Sequence, residues 1–240
     1  MSSPVRYTKG VTNVASDKTM GQLIVPDPTS THVFMEDFDS FDPGKWFITR
    51  VHEGATIGSE TISDADGGIL TFYPATADDD STFFQFKGTA NVTSASEIFT
   101  IASGKKLWFK TRFYVSDATQ SDFVIGLQSA DTTPLTSPVD RIAFTKDDGD
   151  TNLDFGVYAA SVSTLSDTAV HTVVDSTYLT CGFYWDGVDT LSYFVNDILI
   201  GSSASLTMPS AEMTISFGIQ NGAAAAKTMA VDYICIIKER

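Results

Sequence analysis

The feature that most constrains this chain is its punctuation. From Val33 onward, short runs of Phe, Tyr, Trp, Val, Ile and Leu are cut by clusters of Gly, Asp, Asn and Ser. β-Branched and aromatic residues fit a pleated, half-buried surface, and the small polar residues supply the turns between such surfaces. The pattern predicts about a dozen strands. They fall at Phe34–Phe38, Ile69–Tyr73, Thr82–Phe86, Lys106–Val115, Phe123–Gln128, Arg141–Thr145, Leu153–Tyr158, Leu179–Trp185, Leu191–Val195, Ile198–Ile200, Met213–Ile219 and Met229–Ile237. Gly67-Gly68, Asp186-Gly187 and Asn196-Asp197 mark turns. Only Gly222–Lys227 has helical composition, and one turn does not stand alone. No fixed-period repeat is visible. The expected fold class is therefore all-β: one domain over residues 32–240, made of two antiparallel sheets packed face to face, with an extended N-terminal arm over residues 1–31.

Composition supports a packed core and excludes several functions. The chain has 240 residues, 42% hydrophobic, with 17 Phe, which is far from a disordered composition. Its formal charge is −15, so it lacks the basic footprint that nucleic acid requires. No run reaches the roughly 18 apolar residues of a membrane-spanning helix. The first 22 residues contain no apolar stretch of the signal-peptide kind, so synthesis in a reducing cytoplasm is expected. Cys181 and Cys235 each sit inside an apolar run and are expected as reduced core thiols, with a disulfide as the alternative.

The leader differs from the rest. Residues 1–31 hold three basic and two acidic residues, near +1, which leaves about −16 on the remainder. Leu23-Ile24-Val25 is its one apolar run, and Pro26 and Pro28 follow it. Two readings stay open. The leader is a frayed terminus, or it is an arm that orders on a neighbour, with Gln22–Val25 adding as a strand to another subunit's sheet edge. On the second reading Arg6, Tyr7, Lys9, Lys18, Leu23, Ile24 and Val25 form a partner-binding arm.

Catalytic chemistry finds little to use. A retaining glycanase needs two carboxyl groups about 5–5.5 Å apart, which alternation supplies when they stand at i, i+2 or i+4 of one strand. The six Glu (36, 53, 60, 97, 212 and 239) include no such pair. His32, His52 and His171 stand in no lyase-like strand pattern, and no Gly-x-Ser-x-Gly is present. No catalytic residue and no cofactor is assigned. Zinc has no His/Cys cluster. Asp147, Asp148, Asp150 and Asp154 are the calcium candidates, with Asp78–Asp80 behind them, although turn chemistry alone accounts for Asp and Gly there. Trp46, Tyr114, Tyr158 and Tyr184 are candidates for stacking on sugar rings, against the alternative of core packing.

The order of these features resembles a concanavalin A-like jelly roll. Phe34-x-Glu-Asp-Phe38 followed by Trp46 resembles its opening. Leu107–Val115 and Asp122–Gln128 resemble paired long strands of its concave sheet. Tyr193-Phe-Val-Asn-Asp197 resembles its late hairpin, with Asp where Gly is usual. Val231–Ile234 resembles its final strand, which pairs beside the first. A narrower resemblance, carried by the polar leader, Pro26-Asp-Pro-Thr-Ser30 and Phe34-x-Glu-Asp-Phe-Asp39, is to tailed-phage virion proteins of the decoration, cement or fibre-associated kind. It implies a non-enzymatic virion subunit, made in the host cytoplasm and held by its arm and sheet edges. Its implied partners are a major capsid protein or other virion protein and its own copies, a trimer being favoured. The alternative is a carbohydrate-binding module or host-recognition adhesin with a surface glycan as partner. A glycan hydrolase or lyase ranks last. Neither nucleic acid nor membrane is expected as a partner.

Overall fold

Alternation along each strand decides the architecture. The computed structural model describes residues 29–63, 67–88, 97–136 and 138–240. Fifteen strands occur among them: β1 (Thr31–Glu36), β2 (Trp46–Val51), β3 (Ser59–Ser63), β4 (Ile69–Tyr73), β5 (Ser81–Phe86), β6 (Leu107–Val115), β7 (Ser121–Gln128), β8 (Arg141–Lys146), β9 (Asn152–Ala159), β10 (Val162–Thr172), β11 (Leu179–Trp185), β12 (Thr190–Val195), β13 (Ile198–Ala204), β14 (Thr214–Asn221) and β15 (Met229–Glu239). The expected arm residues Arg6, Tyr7, Lys9, Lys18, Leu23, Ile24 and Val25 lie outside the described residues. Thr31, counted with the arm in the sequence, opens β1. Gly222–Lys227 forms no helix.

Two antiparallel sheets result. The eight-stranded sheet runs β13-β12-β11-β6-β15-β4-β3, with β1 also on β15. β15 is long enough to pair β4 through Met229–Val231 and β1 through Ile234–Glu239, so the last strand lies beside the first. The seven-stranded sheet runs β10-β9-β8-β7-β14-β5-β2. The chain is a concanavalin A-like jelly roll in architecture. One expectation fails here. β6 and β7 do not pair; β6 bonds to β11 and β15, and β7 to β8 and β14. The Ser116–Gln120 connection arches between sheets, and Asp117 holds it by accepting from Thr119 N and Gln120 N and by pairing with Lys227 at 2.8 Å.

β6 shows how alternation sorts side chains. Leu107, Phe109, Phe113 and Val115 enter the core, while Trp108, Lys110, Arg112 and Tyr114 face outward. In the interior the rings meet in three clusters, most of whose contacts cross from sheet to sheet. Phe72 meets Phe84 edge-on at 4.7 Å, Phe84 stacks on Phe217 at 5.1 Å, Phe113 meets Phe123 at 5.3 Å, and Phe155 stacks on Tyr193 at 4.4 Å. Cys181 is a free thiol facing this core, and Cys235 is a free, half-buried thiol on the outer face two strands away, so they cannot pair. The Asn196-Asp197 hairpin closes with both residues at positive φ, 51° and 63°, as a two-residue turn of that hand requires; Asp197 also pairs with Lys110.

Phe217 touches Phe38, Trp46, Phe72 and Phe84 and is fully buried. Phe217→Ala is expected to cost about 3–5 kcal/mol of unfolding free energy, read as a lowered urea midpoint with unchanged slope. A loss under about 1 kcal/mol would mean the ring contacts do not bear on stability.

Candidate functional site

The outer faces of the two sheets carry different chemistry, and register fixes both. On the eight-stranded sheet, Trp108 stacks on Tyr184 at 5.2 Å, Arg112 pairs with Asp232 and lies 3.7 Å over the Tyr178 ring, and Tyr114 meets Tyr178 at 5.0 Å. Tyr184 and Tyr114 are therefore engaged with their own neighbours on this face. Trp46 is not a surface platform at all. It is 2% exposed, between Phe86 and Phe217, because it takes an inward position of β2. Tyr158 stands apart on the other sheet. The four stacking candidates do not form one site.

The outer face of the seven-stranded sheet is a trough. Gly126 of β7 lies beside Ala143 of β8 and Ser216 of β14, and Gly156 lies beside Ala143. Gly218 has no room for a side chain, since a Cβ would stand 2.3 Å from the Phe83 ring. The described residues between β7 and β8, 129–136 and 138–140, fold over this small-residue floor. Leu135 packs on Phe83, Val124 and Ala143, burying an outward-facing apolar patch. The loop is held at its neck by Ser129 N donating to Asp140 O at 2.9 Å. Gln85 holds it from below, donating to Ser129 O and accepting from Asp131 N at 2.9 Å, and Glu97 accepts from Ala130 N at 2.7 Å.

One corner of the trough stays open. A cavity of about 300 Å³ is lined by Leu135, Pro138, Arg141, Tyr158 and Ser161. Gln128, Arg141 and Tyr158 form one cross-strand row on β7, β8 and β9, of which Arg141 and Tyr158 line the cavity. Arg141 is 7% exposed, and its guanidinium lies 4.8 Å over the Tyr158 ring. Among the described residues it makes no ion pair, and its Nε has no hydrogen-bond partner. Burial lowers its pKa, against the Tyr158 and Asp147 charges and a side-chain hydrogen bond with Tyr158, which raise it. Gln128 is 1% exposed with both amide atoms unpartnered. No sequence pattern marks this corner, because Arg141 and Gln128 are single polar residues at the ends of apolar strands.

The other candidates have structural partners. Lys146 is fully buried, and its Nζ donates to Ser121 O and Asp147 O, both at 2.6 Å. The acidic turn surrounds that ammonium. Asp150 accepts from Asn152 N at 2.7 Å, Asp154 accepts from Ala169 N at 2.7 Å, and Asp148 N donates to Asp122. Among the described residues no three His, Cys, Asp or Glu converge as metal ligands. Asp80 is buried and accepts from Glu53 N and Ala77 N, while Asp79 accepts from Gln220. Glu36, Glu60 and Glu239 occupy three different strands, and Glu53, Glu97 and Glu212 lie outside strands, so no two glutamates share a strand face. His32 stacks on Phe99 at 5.3 Å, His52 bonds to Gly54 O, and His171 is half-buried on β10 opposite Leu153.

No protein-family model matches this chain, and neither does any curated protein. Solved structures of the same shape do. A protein of unknown function from Shewanella oneidensis MR-1 is 18% identical, with a TM-score of 0.58 over 88% of this chain and 87% of that one. A prokaryotic β-1,3-1,4-glucanase (lichenase) from a mouse hindgut metagenome is 14% identical, with a TM-score of 0.58 over 85% and 98%. The carbohydrate recognition domain of Emp47p is 10% identical, with a TM-score of 0.54 over 88% and 97%. At these identities the likeness establishes the fold alone.

Asp122 faces the trough beside the Asp147-Asp148 turn. Burial raises its pKa to about 6, and the charges of Asp148 and Asp147 add to that, against the Asp148 N–H and Lys146 that lower it. Its folded pKa thus exceeds its unfolded value, so its contribution to stability is full below the unfolded value near 3.8 and is lost as pH rises through about 6. Asp122→Asn keeps an acceptor for Asp148 N. The variant is expected to gain on the parent as pH rises from 4 to 7 in paired urea melts; a difference independent of pH would contradict the assignment.

Proposed function

We propose that this chain is a non-enzymatic interaction protein: a phage virion structural subunit of the decoration or cement type, held by its N-terminal arm and its sheet edges. The observation that carries the reading is the β13 edge of the eight-stranded sheet, which pairs only with β12 among the described residues. β13 is outermost, and Ile198, Leu199 and Ile200 are 66%, 55% and 39% exposed on it. Natural sheets blunt their edges with charge, proline or a bulge, and this edge has only the bulge near Tyr193 and Phe194. Its occupant is the arm of another copy, with Leu23-Ile24-Val25 adding as a strand. The chain before Thr29 is long enough to reach a neighbour, and its charge near +1 suits a body near −16, which without it repels its own copies. A closed ring of three copies satisfies every arm and every β13 edge. The basic residues Arg6, Lys9 and Lys18 then remain for a major capsid protein or other virion protein. The scattered glutamates favour a role without glycan hydrolysis. Synthesis in the host cytoplasm and residence on the virion follow from the same reading.

A second reading, a carbohydrate-binding module or host-recognition adhesin, is favoured by the open corner at Arg141 and Tyr158, and by the recognition domain among the folds of this shape.

Light scattering tests the first reading. The full chain is expected as a trimer or larger, falling to monomer both in a chain starting at Thr31 and in Leu199→Lys. A monomeric full chain, or an oligomer indifferent to both changes, contradicts it.

A further inference from the structure

Resting on the arm-and-edge reading above, we infer that the arm is out of reach of its own β13 and is therefore exchanged: Leu23–Val25 of one copy adds as a strand to β13 of a second copy, against an edge that is apolar on both of its faces.

Tether length excludes closure within one chain. Thr31 stands opposite Glu239, and Glu239 N donates to Lys106 O, so the tether enters the sheet at the Lys106 end of β6. From β1 the sheet continues through β15, β6, β11 and β12 to β13. A strand added beyond β13 is six spacings from β1, roughly 29 Å at the usual interval. The apolar end of β13 is also displaced along the strands. Ile198 pairs with Val195, Val195 with Cys181 and Cys181 with Thr111. Thr111 lies five residues beyond Lys106 on β6, roughly 16 Å. Val25 precedes Thr31 by only six residues, which span at most about 20–22 Å when fully extended. The tether falls short of its own edge by roughly 10 Å. A second copy carries no such limit, because its β13 can be brought to the arm.

Register gives β13 two apolar faces. Ile198 stands opposite the buried Val195, so it lies on the core side of the sheet, yet it is 66% exposed. Leu199 stands opposite Phe194 on the outer side and is 55% exposed. A strand of a half-buried sheet shows apolar side chains to one face only, through alternation. A strand that covers β13 needs them on both faces, which consecutive apolar residues supply. Leu23-Ile24-Val25 is such a run. In either register Ile24 falls on one side of the sheet, and Leu23 and Val25 fall on the other. β10, the end strand of the other sheet on this side of the sandwich, is a poorer acceptor. Register shifts at Ser163/Leu165 and Asp167/His171 interrupt its ladder. Its Asp167 accepts from the Tyr193 hydroxyl of β12, and that bond ties the β12-β13 hairpin across to β10. The bond depends on Gly201 of β13, where a Cβ would stand 2.1 Å from the Tyr193 hydroxyl. The accepting edge is thus held in place before an arm arrives, which lowers the ordering cost of docking.

Two full-chain variants test the exchange by complementation. Ile24→Lys has a sound edge and a spoiled arm, and Leu199→Lys has a sound arm and a spoiled edge. Light scattering is expected to find each alone as a monomer. Mixed in equal amounts they are expected to form a 1:1 heterodimer, in which one sound arm meets one sound edge. Both substitutions add the same charge, so attraction between unlike charges cannot assemble the mixture. A third variant inserts about twenty Gly and Ser residues after Pro28, giving a tether whose r.m.s. span of roughly 28 Å nears the distance to its own edge. It is expected to fall to monomer at dilutions where the parent stays assembled. A mixture that remains monomeric, or a lengthened chain that keeps the parent's mass at every dilution, overturns the exchange while leaving arm and edge as determinants of assembly. An Ile24→Lys chain that stays oligomeric alone overturns it too, and makes a second β13 the occupant. A monomeric parent overturns the arm-and-edge reading itself.

Discussion

The ring contacts between the sheets are the interaction on which the rest of the molecule depends. Phe72 and Phe113 reach across from the eight-stranded sheet to Phe84 and Phe123 on the seven-stranded one, and Phe155 returns the contact to Tyr193. Because side chains alternate with period two, committing these rings to the interior commits every intervening residue to an outer face. A one-residue slip in β8 would drive Arg141 and Ala143 into the core and expel Ile142 and Phe144. The outer-face row of Gln128, Arg141 and Tyr158 is thus a consequence of core packing.

The two outer faces then diverge through their neighbours. On the outer face of the eight-stranded sheet Lys110 pairs with Asp197 and Arg112 with Asp232. That face is internally satisfied. The seven-stranded sheet instead presents small residues, over which the loop between β7 and β8 lays Leu135. The loop covers the middle of this face and leaves one end open, where Arg141 makes no ion pair among the described residues. Stability alone gives no reason to keep a charge there, since an apolar residue of similar volume would serve the core better.

Much of this was legible in the sequence, and the gaps have physical causes. Central strands are buried on the core face and carry Phe, Ile and Val, so β4–β9, β11, β12, β14 and β15 announce themselves. The strands left unread, β2, β3 and β10, are all edge strands. An edge strand is half solvated and needs no apolar alternation, as Val162-Ser-Thr-Leu-Ser-Asp167 shows with its register shifts. β13, the far end of the eight-stranded sheet, is legible only in its three apolar residues. Pairing was harder than existence. β6 and β7 are long, adjacent and well patterned, and a short polar connection reads the same whether it turns a hairpin or arches between sheets. The candidate site was the least legible part. Tyr158 is legible as a stacking candidate, but Arg141 and Gln128 become informative only when strand register sets them side by side and buries them.

The central claim is that aromatic contacts across the interface lock the two sheets in register. A double-mutant cycle on Phe72→Leu and Phe84→Leu, read by urea unfolding, tests it most directly, since both rings are fully buried and meet across the sheets at 4.7 Å. The account predicts a favourable coupling of about 0.5–1.5 kcal/mol between the two rings. Strictly additive losses would contradict it, leaving the sheets held by apolar burial without specific ring contacts.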